Sequence, residues 1–507
     1  MSSRRFASPL SRALFGLTAL AGCVVLLTSC GGGGGSSGGS PFDIGLPSAA
    51  SLAQQCAAPR PGDTQGTLAT EKAFLRSWID ETYLWYQDVR VLPATTLDPT
   101  MYTTPINYFK ALKTPLLTPS GKAKDQFHFT YDTPTWIALS TAGVSYGYGF
   151  GVALVVAKAP NRIAMVGFLE PGTTPASTNL ITRGAAILTV DGVDVANGTD
   201  VATLNEGLFP TVAKAHTFVI LDQGATTSRT VTLTAQQITE TPVQFVKTLP
   251  APNANVGYML FNDHIGTAES ELVAAINQLK SAGVTDLVLD LRYNGGGYLD
   301  IAAELAYMIA GPTNTSGKFF ERLAFNNRNP FPAVTTDFLS TAQGFSVASG
   351  TTLPYLGLDR VYVLTSPDTC SASEAIINGL RGAGIAVNLI GGQTCGKPYG
   401  FYPRDNCNTT YFAIQFQGVN NIGFGDYPDG FTPTCLVADD FTHALGDPAE
   451  NQLEVALALR NNNGAACITP TSMGAHALSV SRGPADAPIG PSLARTPLRE
   501  NRIYRPQ

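Results

Sequence analysis

Charge is scarce in this 507-residue chain: Lys, Arg, Asp and Glu together make up 14%. The net charge is -6 and basic residues seldom cluster, which argues against a nucleic acid as the main partner. No cysteine pair has CxxC spacing, so zinc is not expected, and no motif calls for another metal or a cofactor. The one long apolar run, Ala13 to Leu27, is short for a membrane span. What is present is a globular composition, 44% hydrophobic, with 51 glycines and 34 prolines that predict many turns. The length exceeds a single core and predicts about three domains.

Arg4, Arg5 and Arg12 precede that apolar run, and Leu27-Thr28-Ser29-Cys30 and a Gly/Ser tract follow it. A basic start, an apolar middle and small residues before the cut describe a bacterial export signal. Its ending on cysteine resembles a lipobox, with Cys30 as the lipidated residue. Leu20-Ala21-Gly22-Cys23 also fits, but a cut at Cys30 uses the whole apolar run and leaves a flexible tether. Residues 1–30 are thus expected to be a lipoprotein-type signal and 31–55 a linker. The protein is then anchored to a membrane of the cell envelope by its lipid and faces the periplasm. Six further cysteines remain, an even number that favours disulfides in an exported protein.

Apolar residues from Leu68 to Val89 recur at helical spacing, and a second helix is expected over Ile106–Leu112, giving a small helical domain within 56–140. Residues 141–240 form a β-rich module with strands at Ala153–Ala157 and Ile163–Phe168 and a hairpin of Thr217–Leu221 with Thr230–Thr234. Its order of a glycine loop, a strand, a Pro-Ala helix start and a strand ending in Asp-Gly resembles a PDZ domain. That resemblance implies a peptide-binding loop at Gly149, Phe150, Gly151 and Val152, with the peptide added as a strand at an open edge. From 241 to 468 strands and helices alternate in an α/β layered core, whose last helix is expected over Asp447–Arg460 with Pro448 at its first position. The stretch 469–507, rich in Pro, Ser and Arg, is expected to be loose.

Ser371 and Lys397 carry the chemistry. Ser371 follows the apolar strand Arg360–Thr365 and opens a helix, where amides and the positive dipole end can hold an oxyanion. Ser371-Ala372-Ser373-Glu374 also fits a capping box, the plain structural reading of that serine. Lys397 comes just after the next strand, Ala386–Ile390. It can act as a base only when neutral, which needs apolar burial. A Cys370–Cys395 bridge would tie the two segments together. A second tight turn, Asn294-Gly295-Gly296-Gly297, ends another strand and can offer a further amide.

The serine in Ser-Ala-Ser-Glu, the lysine in Gly396-Lys397 and the strand Asp290-Leu291-Arg292-Tyr293-Asn294-Gly295-Gly296-Gly297 resemble those of the C-terminal processing (tail-specific) peptidases. The resemblance covers roughly residues 70–460. It implies a serine endopeptidase acting on unfolded proteins or C-terminal segments, with Ser371 as nucleophile and Lys397 as general base. The amides of Ala372 and of Gly295 or Gly296 would form the oxyanion hole, and the PDZ-like module would recognise or gate substrate. The spacing from Ser371 to Lys397 is one residue longer than the family pattern, and Cys395 replaces a usual aromatic. Many members carry glutamine four residues after the lysine, where this chain has Phe401. His264, in Phe261-Asn262-Asp263-His264 at a strand end, is therefore an alternative base. A rival reading from another class is a peptidase-like scaffold, catalytically impaired, that captures peptides or apolar ligands.

Three motifs are set aside. Gly143-Val144-Ser145-Tyr146-Gly147 has nucleophile-elbow spacing but leads into a strand. Gly391 to Lys397 has P-loop spacing, with Pro398 where a magnesium-binding hydroxyl belongs. Asp439-Asp440 reads as turn chemistry.

Overall fold

The computed structural model describes residues 45–330, 334–471, 493 and 502–503. Cys30 and the export segment lie outside the described residues. Among them, no helix is long and apolar enough to cross a membrane.

Six strands build the central sheet, in the order Val243–Thr248, Val256–Phe261, Asp286–Asp290, Arg360–Thr365, Ala386–Gly391 and Cys435–Leu436. The first pair is antiparallel and every later pair parallel. Every residue of Val256–Phe261 and Asp286–Asp290 is buried, as expected of parallel strands covered on both faces. Ala268–Ser281, Leu299–Thr315 and Ala372–Gly382 are the helices after the second, third and fourth strands in this order. The helix expected from Asp447 begins instead at Asn451, because the Glu450 carboxylate caps it by accepting from Leu453 N–H at 3.1 Å. Pro448 belongs to the turn before it.

The β-rich module is an antiparallel sheet with Phe150–Val156 at one edge and Arg229–Thr234 at the other. Val144–Gly147, which enters the module, pairs with Gln236–Thr239, which leaves it. The set-aside motif at 143–147 is thus a strand. The module buries Val152, Leu154, Leu204 and Leu208 in its own cluster, whereas Ala153, Met165 and Phe168 pack with Tyr258 and Tyr293 of the core. One short strand therefore serves two cores.

The N-terminal helices Leu68–Thr82, Tyr86–Arg90 and Pro105–Ala111 do not make a body of their own. Phe74, Trp78 and Phe109 share a cluster with Tyr411, Phe412 and Ile414, and a Cys56–Cys407 disulfide joins the two stretches. From Pro47 onward the chain is one compact unit instead of three domains, since its apolar clusters cross the expected boundaries. The linker expected to reach residue 55 ends earlier. Ser48 caps the turn Ala49–Leu52, and Ala49 N–H donates to Glu81 Oε1 at 2.8 Å. The stretch expected to be loose is packed at two points, Leu493 and Arg502–Ile503.

Candidate active site

His264, the turn 294–297, Ser371 and the segment ending at Lys397 follow four successive parallel strands at their carboxyl ends. This is the edge of an open α/β sheet where ligands collect.

Ser371 is the N-cap of the Ala372–Gly382 helix, with φ 61° and ψ -111°. A positive φ is strained for a side chain with a Cβ, and such outliers concentrate at functional sites. Ser371 is fully buried and its Oγ has no hydrogen-bond partner among the described residues. Only half of the expected capping box forms: Ser371 N–H donates to Glu374 Oε2 at 3.0 Å. The serine hydroxyl is left uncommitted.

Glu374 does far more than cap. Its Oε2 also accepts from Lys397 N–H at 2.8 Å, and its Oε1 from Gly396 N–H at 2.9 Å and Thr394 Oγ1 at 2.6 Å. One buried carboxylate thus fixes the backbone of both candidate catalytic residues. Burial pushes its carboxyl above the ordinary range, while Thr394, Lys397, Gly396 and Ser371 pull it back. The Cys370–Cys395 disulfide forms as the sequence suggests, with Cα atoms 5.2 Å apart, and ties the same segments covalently. The two sulfurs and the Glu374 carboxylate lie close enough to ligate a metal, but in this form the sulfurs are bonded to each other.

Lys397 is fully buried. Its Nζ lies 4.6 Å from the Phe127 ring centre and 4.5 Å from that of Phe401. Phe401, four residues after the lysine, therefore packs against the amine with its ring face. Phe127 has no sequence signal linking it to the site, since it sits 270 residues away in a loop. Ser371 Oγ and the Lys397 amine are not hydrogen-bonded here.

Asn294 orders the opposite wall. Its backbone oxygen accepts from Cys370 N–H and Ser373 Oγ, each at 3.1 Å. Its side-chain Oδ1 accepts from Gly296 N–H at 2.9 Å and His264 Nδ1 at 3.0 Å. The Gly296 amide is therefore committed to Asn294 in this form, so of the candidate oxyanion donors it is already paired. Gly297 has φ 135°, and a Cβ there would meet the His264 carbonyl oxygen at 2.5 Å, so only glycine fits. His264 Nδ1 faces two carbonyl oxygens, Asn294 Oδ1 and Gly296 O, so it carries the proton and Nε2 is the lone-pair nitrogen. That Nε2 is buried without a partner among the described residues, and burial holds the imidazole pKa down at about 3.

Arg292 anchors the strand behind this turn. Fully buried, it donates to Asp290 at 3.0 Å, Asp439 at 2.8 Å and Glu450 at 2.8 Å. Asp439 also binds Arg183 of the β-rich module at 2.9 Å and Tyr293 at 2.5 Å. Asp440 fits the turn role expected of the pair, accepting from Thr442 N–H at 2.8 Å, but Asp439 is a bridge between module and core. The glycine loop Gly149–Val152 opens the module's edge strand, away from the Ser371 segment in the chain.

Against this geometry, residues 255–401 match the family model described as peptidase family S41. The match covers the central part of the α/β core. Over 255 residues the chain is 28% identical to a carboxyl-terminal-processing protease of Picosynechococcus sp., covering 49% of this chain and 54% of that one. A protein of the same name from Synechocystis sp. is 29% identical over 215 residues, 42% and 44% of the two chains. The chain thus spans about half the length of the curated relatives it matches. Among solved structures, a putative S41 protease from Bacteroides fragilis aligns with a TM-score of 0.58 at 22% identity. The alignment covers 77% of this chain and 97% of that one, a likeness of fold. The matched segment takes in His264, the glycine turn, Ser371 and Lys397, and stops at Phe401.

Proposed function

We propose that this protein is an exported serine endopeptidase that cleaves unfolded proteins or C-terminal segments. The observation that carries the reading is the strained, buried Ser371, held by Glu374 in common with the Lys397 backbone. As Ser371 Oγ bonds to the scissile carbonyl carbon, its proton passes to the Lys397 amine. The amides of Ala372 and Gly295 hold the oxyanion. The C–N bond then breaks as that proton moves to the leaving nitrogen, and water repeats the attack on the acyl-serine. In the resting form Ser371 Oγ is hydrogen-bonded to no described residue, so substrate binding has to close the dyad.

His264 is the second candidate for the base, favoured by its unpartnered Nε2. A base of pKa about 3 is a poor match to neutral pH, which ranks it below Lys397. The β-rich module is proposed to act as a PDZ-like peptide binder, and Cys30 as the lipid anchor to the cell envelope. Three disulfides support an oxidising compartment. Ser371→Ala should abolish cleavage of an unfolded protein without lowering the melting temperature; unchanged cleavage would rule the assignment out. A scaffold that only binds peptides would resist serine-directed covalent probes.

A further inference from the structure

Two backbone segments of this protein, next to the 150–156 strand and at Gly297–Tyr298, are contacted by a distant part of the same chain. The strand Phe150–Val156 is the last of its sheet, hydrogen-bonded on one side only, to Ile163–Leu169. Just past the end of this strand, Leu493 N–H donates to Ala157 O at 2.8 Å. The Leu493 side chain is only 2% exposed and belongs to the apolar cluster of Val152, Leu154, Leu204 and Leu208. Nine residues further on, Arg502–Ile503 pairs as a parallel strand with Gly297–Tyr298. Gly297 closes the candidate oxyanion turn, and Arg502–Ile503 also runs beside Tyr399–Gly400, two residues past Lys397. Nine residues reach up to ~30 Å when extended, enough to join separate binding points.

Extended backbone laid beside the oxyanion turn, with an apolar side chain seated behind an open sheet edge, is what a bound peptide presents. Charge agrees. Residues 489–507 hold four arginines and one glutamate, whereas the chain as a whole carries -6.

We infer that the 150–156 edge and the Gly297–Tyr298 segment form one surface for extended peptides of apolar and basic character. Its resident occupant is this chain's own segment, anchored at Leu493 and Arg502–Ile503. The segment competes with substrate. The kinetic part of this inference rests on the peptidase reading; the binding part does not.

The test uses a fluorescein-labelled peptide of residues 489–507 and chains carrying Ser371→Ala, so that binding is read without cleavage. A chain ending at Thr471 should bind the peptide at least tenfold more tightly than the full chain. A peptide carrying the Leu493→Asp change should bind the shortened chain at least tenfold more weakly. With Ser371 intact, shortening should lower KM for an unfolded protein severalfold and leave kcat unchanged. Should the shortened chain lose its fold, Leu493→Asp in the full chain serves in its place and should likewise admit the peptide. Equal peptide binding by the full chain and by a folded variant overturns the inference. Binding as expected with no cleavage by any chain keeps the surface and removes the peptidase reading; cleavage without peptide binding does the reverse.

Discussion

Glu374 spends one carboxylate on four donors, so its loss leaves buried N–H groups unpaired at both ends of the site. Each such group costs about 1–3 kcal/mol. Glu374→Ala should therefore lower stability by at least about 3 kcal/mol and kcat at least tenfold, with KM little changed, as measured by denaturant melts and steady-state kinetics. Glu374→Gln keeps one acceptor oxygen and should fall between. A kcat unaffected by Glu374→Ala would remove its positioning role. Ser371 and Lys397 were legible in the sequence because a serine at a helix start and a lysine after the next strand are local patterns. The wider duty of Glu374 was not, because three of its four donors arrive from residues 394–397 through folding. Phe127 was invisible for the same reason. The bond from the Gly296 amide to Asn294 was not legible, because a glycine turn shows which backbone is flexible, not which N–H a neighbouring Asn294 will claim.

Among the elements, two disulfides separate stability from catalysis. Cys56–Cys407 closes a sequence separation of 351 residues and Cys370–Cys395 one of 25. In the chain-entropy view the longer loop stabilises more, about 6 against about 3.5 kcal/mol. The Cys56→Ser/Cys407→Ser pair should thus melt at lower denaturant than Cys370→Ser/Cys395→Ser. The second pair should lose more kcat, since its bridge joins the Ser371 and Lys397 segments. The opposite ranking of kcat would show that the bridge only stabilises. Arg292 offers a second element-scale test. Removing one partner of a buried ion network costs about 3–5 kcal/mol, so Arg292→Ala should sharply destabilise the chain in a urea melt. The parallel strands were readable from their apolar runs, with Arg360–Thr365 matching residue for residue. The helix after Pro448 was misplaced by four residues because Glu450, held by Arg292, outcompetes proline as the start signal.

At the scale of the whole molecule, two buried groups shape stability against pH. Glu304 has its pKa pushed up to about 9, first by burial and then by the neighbouring Glu269 carboxylate. A folded pKa raised above the ordinary 4.5 gives stability that is complete below 4.5 and is lost as pH rises through 9. His264, depressed to about 3, gives stability present above 6.5 and lost as pH falls through 3. Each contributes a slope of up to about 1.4 kcal/mol per pH unit. Glu304→Gln should flatten the decline between pH 6.5 and 9 in denaturant melts, and an unchanged slope would refute its buried protonated state. The three-domain expectation failed at this scale because composition marks where segments change character, whereas the clusters that join Phe74 to Phe412 and Ala153 to Tyr258 are visible only in space. The order of helices, then β-strands, then alternating strands and helices was nevertheless readable from periodicity and turn signals.

The nucleophile and its base are tested most directly by intact-mass spectrometry after reaction with a fluorophosphonate probe. One adduct is predicted, mapped to the peptide bearing Ser371, absent in Ser371→Ala, formed at least a hundredfold more slowly in Lys397→Ala and little affected by His264→Gln. An adduct elsewhere, or a rate that collapses in His264→Gln and survives in Lys397→Ala, would contradict the account.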